Sequence, residues 1–284
     1  MLLRELNFSP PVLDYEQSGL SMSEFRKPLN DKLMVGFVKT ILPPFLHMEK
    51  LQVRPSARCL EWLHKLRGAH CVLMVNHSDR DDPTVTFELS RQAKENFLYL
   101  AARELFDENL GLRGWLMQHC GAYSVIRGKT PDLTSAKATI HLITEGSRKL
   151  VEFPEGDVTG RDDTIVALKK DGIANLFSAQ DEMLSRSSAN SVVLLPIGIF
   201  YQVQPDGLAA LTRRLIDLEQ ILGLPSWGKP LEGRCLQLIS GLVAEQETYY
   251  GVSNTNKPEL QERLRRLSEE ATRNVASFIG HGPG

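Results

Sequence analysis

Two side chains that can move a proton, His77 and Asp82, lie five residues apart in the stretch VNHSDRDDP (75–83). An imidazole titrates near neutral pH, so a histidine can take the proton from a hydroxyl group that attacks a carbonyl carbon. A carboxylate on the other ring nitrogen fixes the tautomer and stabilises the imidazolium that forms. The pair therefore predicts general-base chemistry. A structural explanation stays open, because Asp82 before Pro83 is also typical of the N-cap and first position of a helix.

A second stretch, EFPEG (152–156), follows an apolar segment and places Glu155 and Gly156 in a tight turn. Because parallel strands end at the same edge of a sheet, this turn is expected beside His77. The turn would present the Glu155 carboxylate and free backbone amides to a cleft. The alternative is a surface turn with a solvated glutamate.

The segments that must position these residues alternate between strand and helix after residue 70. Apolar runs predict strands at 71–76, 97–102, 122–126, 149–153 and 192–201, and helical periodicity predicts helices at 83–95, 104–118, 131–145 and 164–185. This order predicts an α/β fold with a largely parallel central sheet flanked by helices. Further helices, at 207–222, 230–246 and 258–279, predict a helical C-terminal extension. We expect an N-terminal lead-in with an amphipathic helix (1–60), a catalytic domain (61–206) and a helical C-terminal cap (207–284).

The composition of the 284 residues is typical of a globular protein, with 42% hydrophobic and 24% charged residues. A net charge of -2 gives no positive field for nucleic acid, so no nucleic-acid partner is expected. Four scattered cysteines predict neither a disulfide framework nor a zinc ribbon, and they favour a reducing, cytoplasmic compartment. The N-terminal sequence lacks the pattern of a cleaved signal peptide.

Four blocks between about residues 70 and 200 resemble the motifs of the glycerolipid acyltransferase family, the group that includes lysophosphatidate acyltransferase. NHSDRDDP resembles the NHx4DP motif of that family. The other three blocks are matched by GAYSVIR with Gly121 and Arg127, by FPEG at 153–156, and by VVLLPIGIF with Pro196. They occur in the family's order with compatible spacing, so the resemblance is specific. It implies a fold like that of glycerol-3-phosphate acyltransferase.

The resemblance implies transfer of a fatty acyl group from acyl-CoA or acyl carrier protein to a hydroxyl of a lysophospholipid such as 1-acyl-glycerol-3-phosphate. His77 would be the general base, oriented by Asp82, with no bound cofactor and no metal. A thiolate leaving group with a pKa of about 8.5 needs little help from an acid. The oxyanion would be stabilised by backbone amides near Pro83 or in the 154–156 turn.

One departure from the family concerns the phosphate of the acceptor. The family usually continues FPEG with Thr-Arg-Ser, whereas this chain continues with Asp157, Val158 and Thr159. Two alternatives remain for binding that phosphate. Arg161 reaches the region if the GDVTGR turn folds back, or Arg127 and Lys129 carry the phosphate alone. The residues expected to bind substrate are thus Arg127, Lys129, Glu155, Gly156 and Arg161.

Three other functions are compatible with residues of the same region. A metal-dependent hydrolase would use His77, Asp79 and Asp82, with Asp81 and His70 nearby in sequence. A serine hydrolase would use Ser78 or Ser124, although the chain has no GxSxG elbow. The third alternative is a non-catalytic, lipid-binding relative, against which the intact His77 and Asp82 argue.

The apolar stretch LMVGFVKTILPPFL (33–46) is too short to span a bilayer. It predicts an amphipathic helix over 30–42, ended by Pro43 and Pro44. Its apolar face, from Leu33 to Phe45, would lie on a membrane while Lys32 and Lys39 reach head groups. This predicts a peripheral protein at the inner face of the membrane. The alternative is a helix that packs on the catalytic domain.

Overall fold

A computed structural model describes residues 25–29, 31–126, 132–146, 148–164, 166–186, 190–224, 228–252 and 259–278. The chain divides into two compact units, Met1–Tyr201 and Gln202–Gly284. Prolines 131 and 258, expected in the first turns of two helices, lie outside the described residues.

The first unit is built on a five-stranded sheet of parallel strands in the order β3-β2-β4-β1-β5. The strands are β1 Cys71–Val75, β2 Leu98–Ala102, β3 Ala122–Val125, β4 Leu150–Glu152 and β5 Val193–Ile197. The prediction of a parallel α/β sheet is confirmed. β1 lies between β4 and β5, so the loops after these three strands meet at one edge.

Helices cover both faces of this sheet. They are α1 Lys32–Met48, α2 Ala57–Lys65, α3 Asp82–Gln92, α4 Leu112–His119, α5 Leu133–Glu145 and α6 Lys170–Ser185. Because successive strand residues point to opposite faces, Leu73 packs with Leu63 of α2 and Leu89 of α3. Its neighbour Val72 packs instead with residues of α5 and α6, such as Leu176. The two apolar layers hold β1 firmly below the loop that follows it.

β5 is shorter than the strand predicted at 192–201 and lies at the edge of the sheet. Pro196, in register with Met74, is tolerated there because an edge strand bonds on one side only. The chain therefore leaves the sheet after Ile197, and the residues up to Tyr201 follow it as a loop beside the end of β1.

The continuous helix predicted over 104–118 is wrong. Two 3-10 turns, Arg103–Phe106 and Glu108–Gly111, precede α4. Asn109 and Leu110 have φ angles of 52° and 56°, and Gly111 has 81°, so the chain passes through the left-handed region before α4 begins. The apolar spacing continues across this break, which is why periodicity alone did not reveal it.

The predicted end of α1 is also wrong, because the helix continues through Pro43 and Pro44 to Met48. A proline inside a helix removes a backbone donor and usually breaks the helix. Here Leu42 and Leu46 are buried on either side of the prolines. Their burial on the catalytic unit favours continuation of the helix.

The second unit is helical, as predicted for the C-terminal extension. It contains α7 Pro205–Ile221, α8 Leu231–Tyr250 and α9 Leu260–Phe278. Two paired arginine–glutamate contacts connect them: Arg234 with Glu219 between α7 and α8, and Arg263 with Glu247 between α8 and α9. In the described part of the chain, none of the helices has the length and apolar character needed to cross a bilayer.

Candidate active site

The structure brings His77 and Asp82 together in the loop between β1 and α3. The Nδ1 atom of His77 lies 3.0 Å from Oδ2 of Asp82. The Asp82 side chain is fully buried, while the His77 side chain is 13% exposed. The Nδ1 nitrogen is thus occupied by the carboxylate, and Nε2 is the ring nitrogen left to exchange a proton.

Asp82 is held by more than His77. Its Oδ2 atom accepts a hydrogen bond from the Asp79 amide at 2.9 Å, and its Oδ1 atom accepts one from the Tyr201 hydroxyl at 2.8 Å. Asp81, not Asp82, is the N-cap residue of α3, and its side chain makes no capping bond. The N-cap explanation of Asp82 is therefore wrong. As the first residue of the helix, Asp82 still gains from the positive end of the helix dipole.

Asn76 fixes the loop against the residues that follow β5. Its Nδ2 atom donates to the Ile199 carbonyl at 3.0 Å, and its Oδ1 atom accepts from the Ile199 amide at 2.7 Å. These two bonds continue the pairing of β1 with β5 beyond the ends of the strands. Two residues after Ile199, the backbone amide of Tyr201 donates a hydrogen bond to the Asp162 carboxylate.

Sequence reasoning missed the contribution of Tyr201, which was predicted only as the end of a buried strand. The available signal was its position, just beyond the carboxyl end of a strand that was expected in the same sheet as β1. Asn76 belongs to the NHx4DP-like motif, but the sequence alone does not predict its bonds to Ile199.

The segment after β4 closes over the histidine. Phe153 stacks on the His77 ring, with ring centroids 4.4 Å apart and planes 27° apart. Farther on, the Thr159 amide donates to the His77 carbonyl at 2.8 Å and the Gly160 amide donates to the Ser78 carbonyl at 3.1 Å. The GDVTGR turn therefore folds back onto the His77 loop. The loop is thus restrained by Phe153, by this turn and by the residues that follow β5.

Glu155 is 3% exposed, and neither carboxylate oxygen has a hydrogen-bond partner among the described residues. The alternative of a solvated surface glutamate is therefore wrong. Gly156 has a φ of 78°, and a Cβ there would lie 2.6 Å from Lys169 Cε, so glycine fits both the turn and the close approach. Its amide bonds the Phe153 carbonyl, so it is not the free donor that was expected.

The three basic residues expected to bind the acceptor differ in what can be said of them. Arg127 and Lys129 lie outside the described residues. Arg161 is exposed, and its backbone is bonded to Thr159, the residue that also bonds His77. The fold-back of the turn thus brings the backbone of Arg161 close to the histidine loop.

Burial raises the pKa of three further groups around the site. The pKa of Tyr201 is raised by burial and by its hydrogen bond to the Asp82 carboxylate, so its hydroxyl stays a donor at any working pH. Burial raises the pKa of Glu152, the last residue of β4, to about 7. The pKa of Asp81 is also raised, by burial and then by the charge of Asp79.

The geometry does not favour a metal-dependent hydrolase. Three protein donors already occupy the Asp82 carboxylate, and His70 lies at the amino end of β1 with Nδ1 2.9 Å from the Ile143 carbonyl. Across the ranges that the structure describes, no group of three or more histidine, cysteine or acidic side chains is arranged to hold a metal ion.

A serine hydrolase is not favoured either. Ser124 lies in β3, separated from β1 by two strands, and its hydroxyl accepts the Arg26 amide. The Ser78 hydroxyl is buried and bonds none of the described residues, His77 included. Neither serine is activated by the imidazole. The arrangement instead suits a histidine that takes a proton from a bound molecule.

A family model for acyltransferases matches residues 53–199, which is just over half of the 284-residue chain. The match includes β1 to β5, the His77 loop and the turn after β4. No curated protein and no solved structure matches the chain significantly. On the family match, the chain belongs to the acyltransferase family, which includes 1-acyl-glycerol-3-phosphate acyltransferases.

Proposed function

We propose that this acyltransferase moves a fatty acyl group from an acyl thioester, acyl-CoA or acyl carrier protein, to a hydroxyl of a lysophospholipid such as 1-acyl-glycerol-3-phosphate. The observation that carries the proposal is the His77–Asp82 contact, with Asp82 completed by Asp79 and Tyr201. Such a histidine has one defined tautomer and a single nitrogen free for the proton.

The reaction needs no acylated protein residue. The acceptor oxygen attacks the thioester carbonyl carbon while its proton passes to Nε2 of His77, and Asp82 stabilises the imidazolium. The tetrahedral intermediate then collapses, the carbon–sulfur bond breaks, and the thiolate leaves. The proton on His77 ends on that thiolate or in solvent, so the enzyme returns to its starting state.

Support for a phosphate-bearing acceptor comes from the position of Arg161. The turn that carries it is bonded to the carbonyls of His77 and Ser78, which brings its backbone beside the reacting residues. A phosphomonoester has close to two negative charges and is bound best by fixed guanidinium donors. We include Arg127 and Lys129 in the proposed phosphate site on the resemblance alone. Glu155 and Gly156 shape the same turn.

The membrane association of the enzyme is proposed from α1. One side of the helix is exposed and apolar, formed by Leu33, Phe37, Ile41, Phe45 and Met48, and we call it the α1 stripe. An acceptor with a long acyl chain resides in a bilayer, so an enzyme must come to it there. We propose that the stripe lies on the inner face of the membrane, in the cytoplasm; the four unpaired cysteines support a reducing compartment.

Two details of the expected membrane face are wrong. Leu42 is buried against the protein, at 6% exposure, and so cannot enter lipid. Lys39 does not extend toward head groups, because its Nζ atom bonds the Glu95 carbonyl and Asn96 Oδ1. Burial lowers the pKa of Lys39 to about 8. Both residues attach α1 to the catalytic unit and leave the α1 stripe outside.

His77→Ala is expected to reduce acyl transfer by at least about 1,000-fold, because without a base the hydroxyl is a poor nucleophile. Asp82→Asn is also expected to be severe, since an amide cannot stabilise the imidazolium. The measurement is the rate of labelled acyl transfer to 1-acyl-glycerol-3-phosphate, with circular dichroism as the test of folding. A folded His77→Ala enzyme with near-normal turnover would contradict the assignment.

Tyr201→Phe is expected to lower kcat/KM about tenfold, because a hydrogen bond to a charged group contributes about 1.5 kcal/mol or more. It should also move the acidic limb of the pH–rate profile to higher pH. A carboxylate that no longer accepts a hydrogen bond from Tyr201 stabilises the protonated ring of His77 more strongly.

Tyr123→Phe is the matched control, since it removes a buried hydroxyl that contacts Thr139 at 2.8 Å, away from His77. That variant should lose stability without moving the limb. If the two variants shift the profile equally, Tyr201 does not act on the His77–Asp82 pair.

Arg161→Ala is expected to raise the KM for a phosphate-bearing acceptor about tenfold while leaving kcat and the KM of the acyl donor close to normal. The comparison acceptor is a monoacylglycerol, which has the same hydroxyl chemistry without the phosphate. Equal effects on both acceptors would remove Arg161 from the phosphate site.

Phe37→Glu combined with Ile41→Glu is expected to abolish binding to vesicles, because it places two charges in the centre of the α1 stripe. Transfer to a water-soluble short-chain acceptor should survive. Thr40→Glu with His47→Glu is the control, since both are exposed polar residues of the same helix that do not belong to the α1 stripe. If the Phe37/Ile41 variant still binds vesicles as the parent does, the membrane contact lies elsewhere.

A further inference from the structure

A cavity of about 450 Å³ opens at the edge of the sheet opposite His77. Its lining includes residues that precede strands, such as Arg67, ahead of β1, and Lys149, immediately before β4. The His77 loop and the FPEG turn follow those same strands. Five strand residues extend about 17 Å, so the cavity is separate from the candidate active site.

The charge of the cavity is strongly one-sided. Its charged lining residues are five cations and one carboxylate: Lys32, Arg67, Lys94, Arg148, Lys149 and Glu95. Buried Lys149 is paired with Glu95 in a short contact. The Nε atom of Arg67 lies 3.8 Å from the same carboxylate. The single acid is therefore already shared by two of the cations.

The other three cations are uncompensated. The side chains of Lys32, Lys94 and Arg148 form no ion pair or hydrogen bond with any residue in the described ranges. Arg148 is the most telling of them, because it is partly buried and burial lowers the pKa of its guanidinium. A guanidinium that gives up water without a protein partner is destabilising, and a bound anion would reverse that cost.

We propose that this cavity binds a phosphate-bearing anion with at least two negative charges. Arg148 would supply a planar fork of donors, while Lys32 and Lys94 contribute point charges at the rim. A single carboxylate ligand would leave most of the positive charge uncompensated, which favours a phosphomonoester or diphosphate. The proposal does not depend on acyl transfer, since none of these residues belongs to the candidate active site.

The neighbourhood of the cavity indicates two sources for such a phosphate. Lys32 is the first residue of α1, and Leu33 beside it begins the α1 stripe. Lys39, two turns farther along α1, bonds Glu95 and Asn96 of the cavity. A lipid head group could therefore enter if the stripe lies on a bilayer. A soluble phosphate compound could enter from solvent.

The test measures binding in two arms with the full chain. Pyrophosphate binding is followed by isothermal titration calorimetry at low salt, and flotation compares vesicles of phosphatidylcholine with and without phosphatidic acid. Lys94→Gln with Arg148→Gln should weaken the responsive arm at least tenfold. Arg58→Gln, an exposed arginine outside the cavity, should not. All binding measurements use an Arg161→Ala background, which removes phosphate binding at the candidate active site.

Loss in the pyrophosphate arm identifies a soluble ligand, and loss confined to phosphatidic acid vesicles identifies a head group. Absence of binding in both arms, or binding that the double variant retains, would overturn the proposal. Lys94→Gln alone serves if the double variant fails to fold. Transfer to a short-chain soluble acceptor should be unchanged in every cavity variant, which separates this result from a failure of the proposed acyl transfer.

Discussion

The carboxylate of Asp82 is completely buried, and the arrangement of the site depends on satisfying it. A buried, unpaired charge costs several kcal/mol. Asp82 avoids that cost through donors from three places: the His77 ring, the Asp79 amide and the Tyr201 hydroxyl. Two of these donors belong to the loop between β1 and α3 and the third follows β5, so that loop, the start of α3 and the segment after β5 must all come together for the charge to be tolerated.

The strand order makes this convergence possible. β1 lies between β4 and β5, so one edge of the sheet holds the histidine loop, the FPEG turn and the chain leading to Tyr201. Asn76 extends the β1–β5 pairing by two further hydrogen bonds with Ile199. Phe153 then limits the His77 ring from the β4 side. A general base needs a fixed ring, and three neighbouring strands supply the restraints.

Local sequence predicted the elements better than the contacts between them. The strands, the C-terminal helices and the proximity of FPEG to His77 follow from apolar runs and parallel topology. Tyr201 could not be assigned, since its partner is 119 residues away and a hydroxyl at a strand end fits many environments. Lys39 was misassigned for a similar reason: its spacing suits a membrane helix, but Glu95 and Asn96 are folded beneath it. Helical spacing does not distinguish a buried face from an exposed one when both are apolar, as in α1.

The course of α1 relates the two ends of the sheet. Its 17 residues extend about 25 Å, from Lys32 at the cavity to Met48. Just beyond, the charge of Glu49 contributes to the raised pKa of Asp81 in the histidine loop, after burial and Asp79. α1 therefore extends from the cavity toward the histidine loop. A bilayer that lay along it would meet the active-site loop at one end and the cationic cavity at the other. Membrane binding and phosphate binding at the cavity would then reinforce each other, because a lipid held in the cavity adds to the modest affinity of a few apolar side chains.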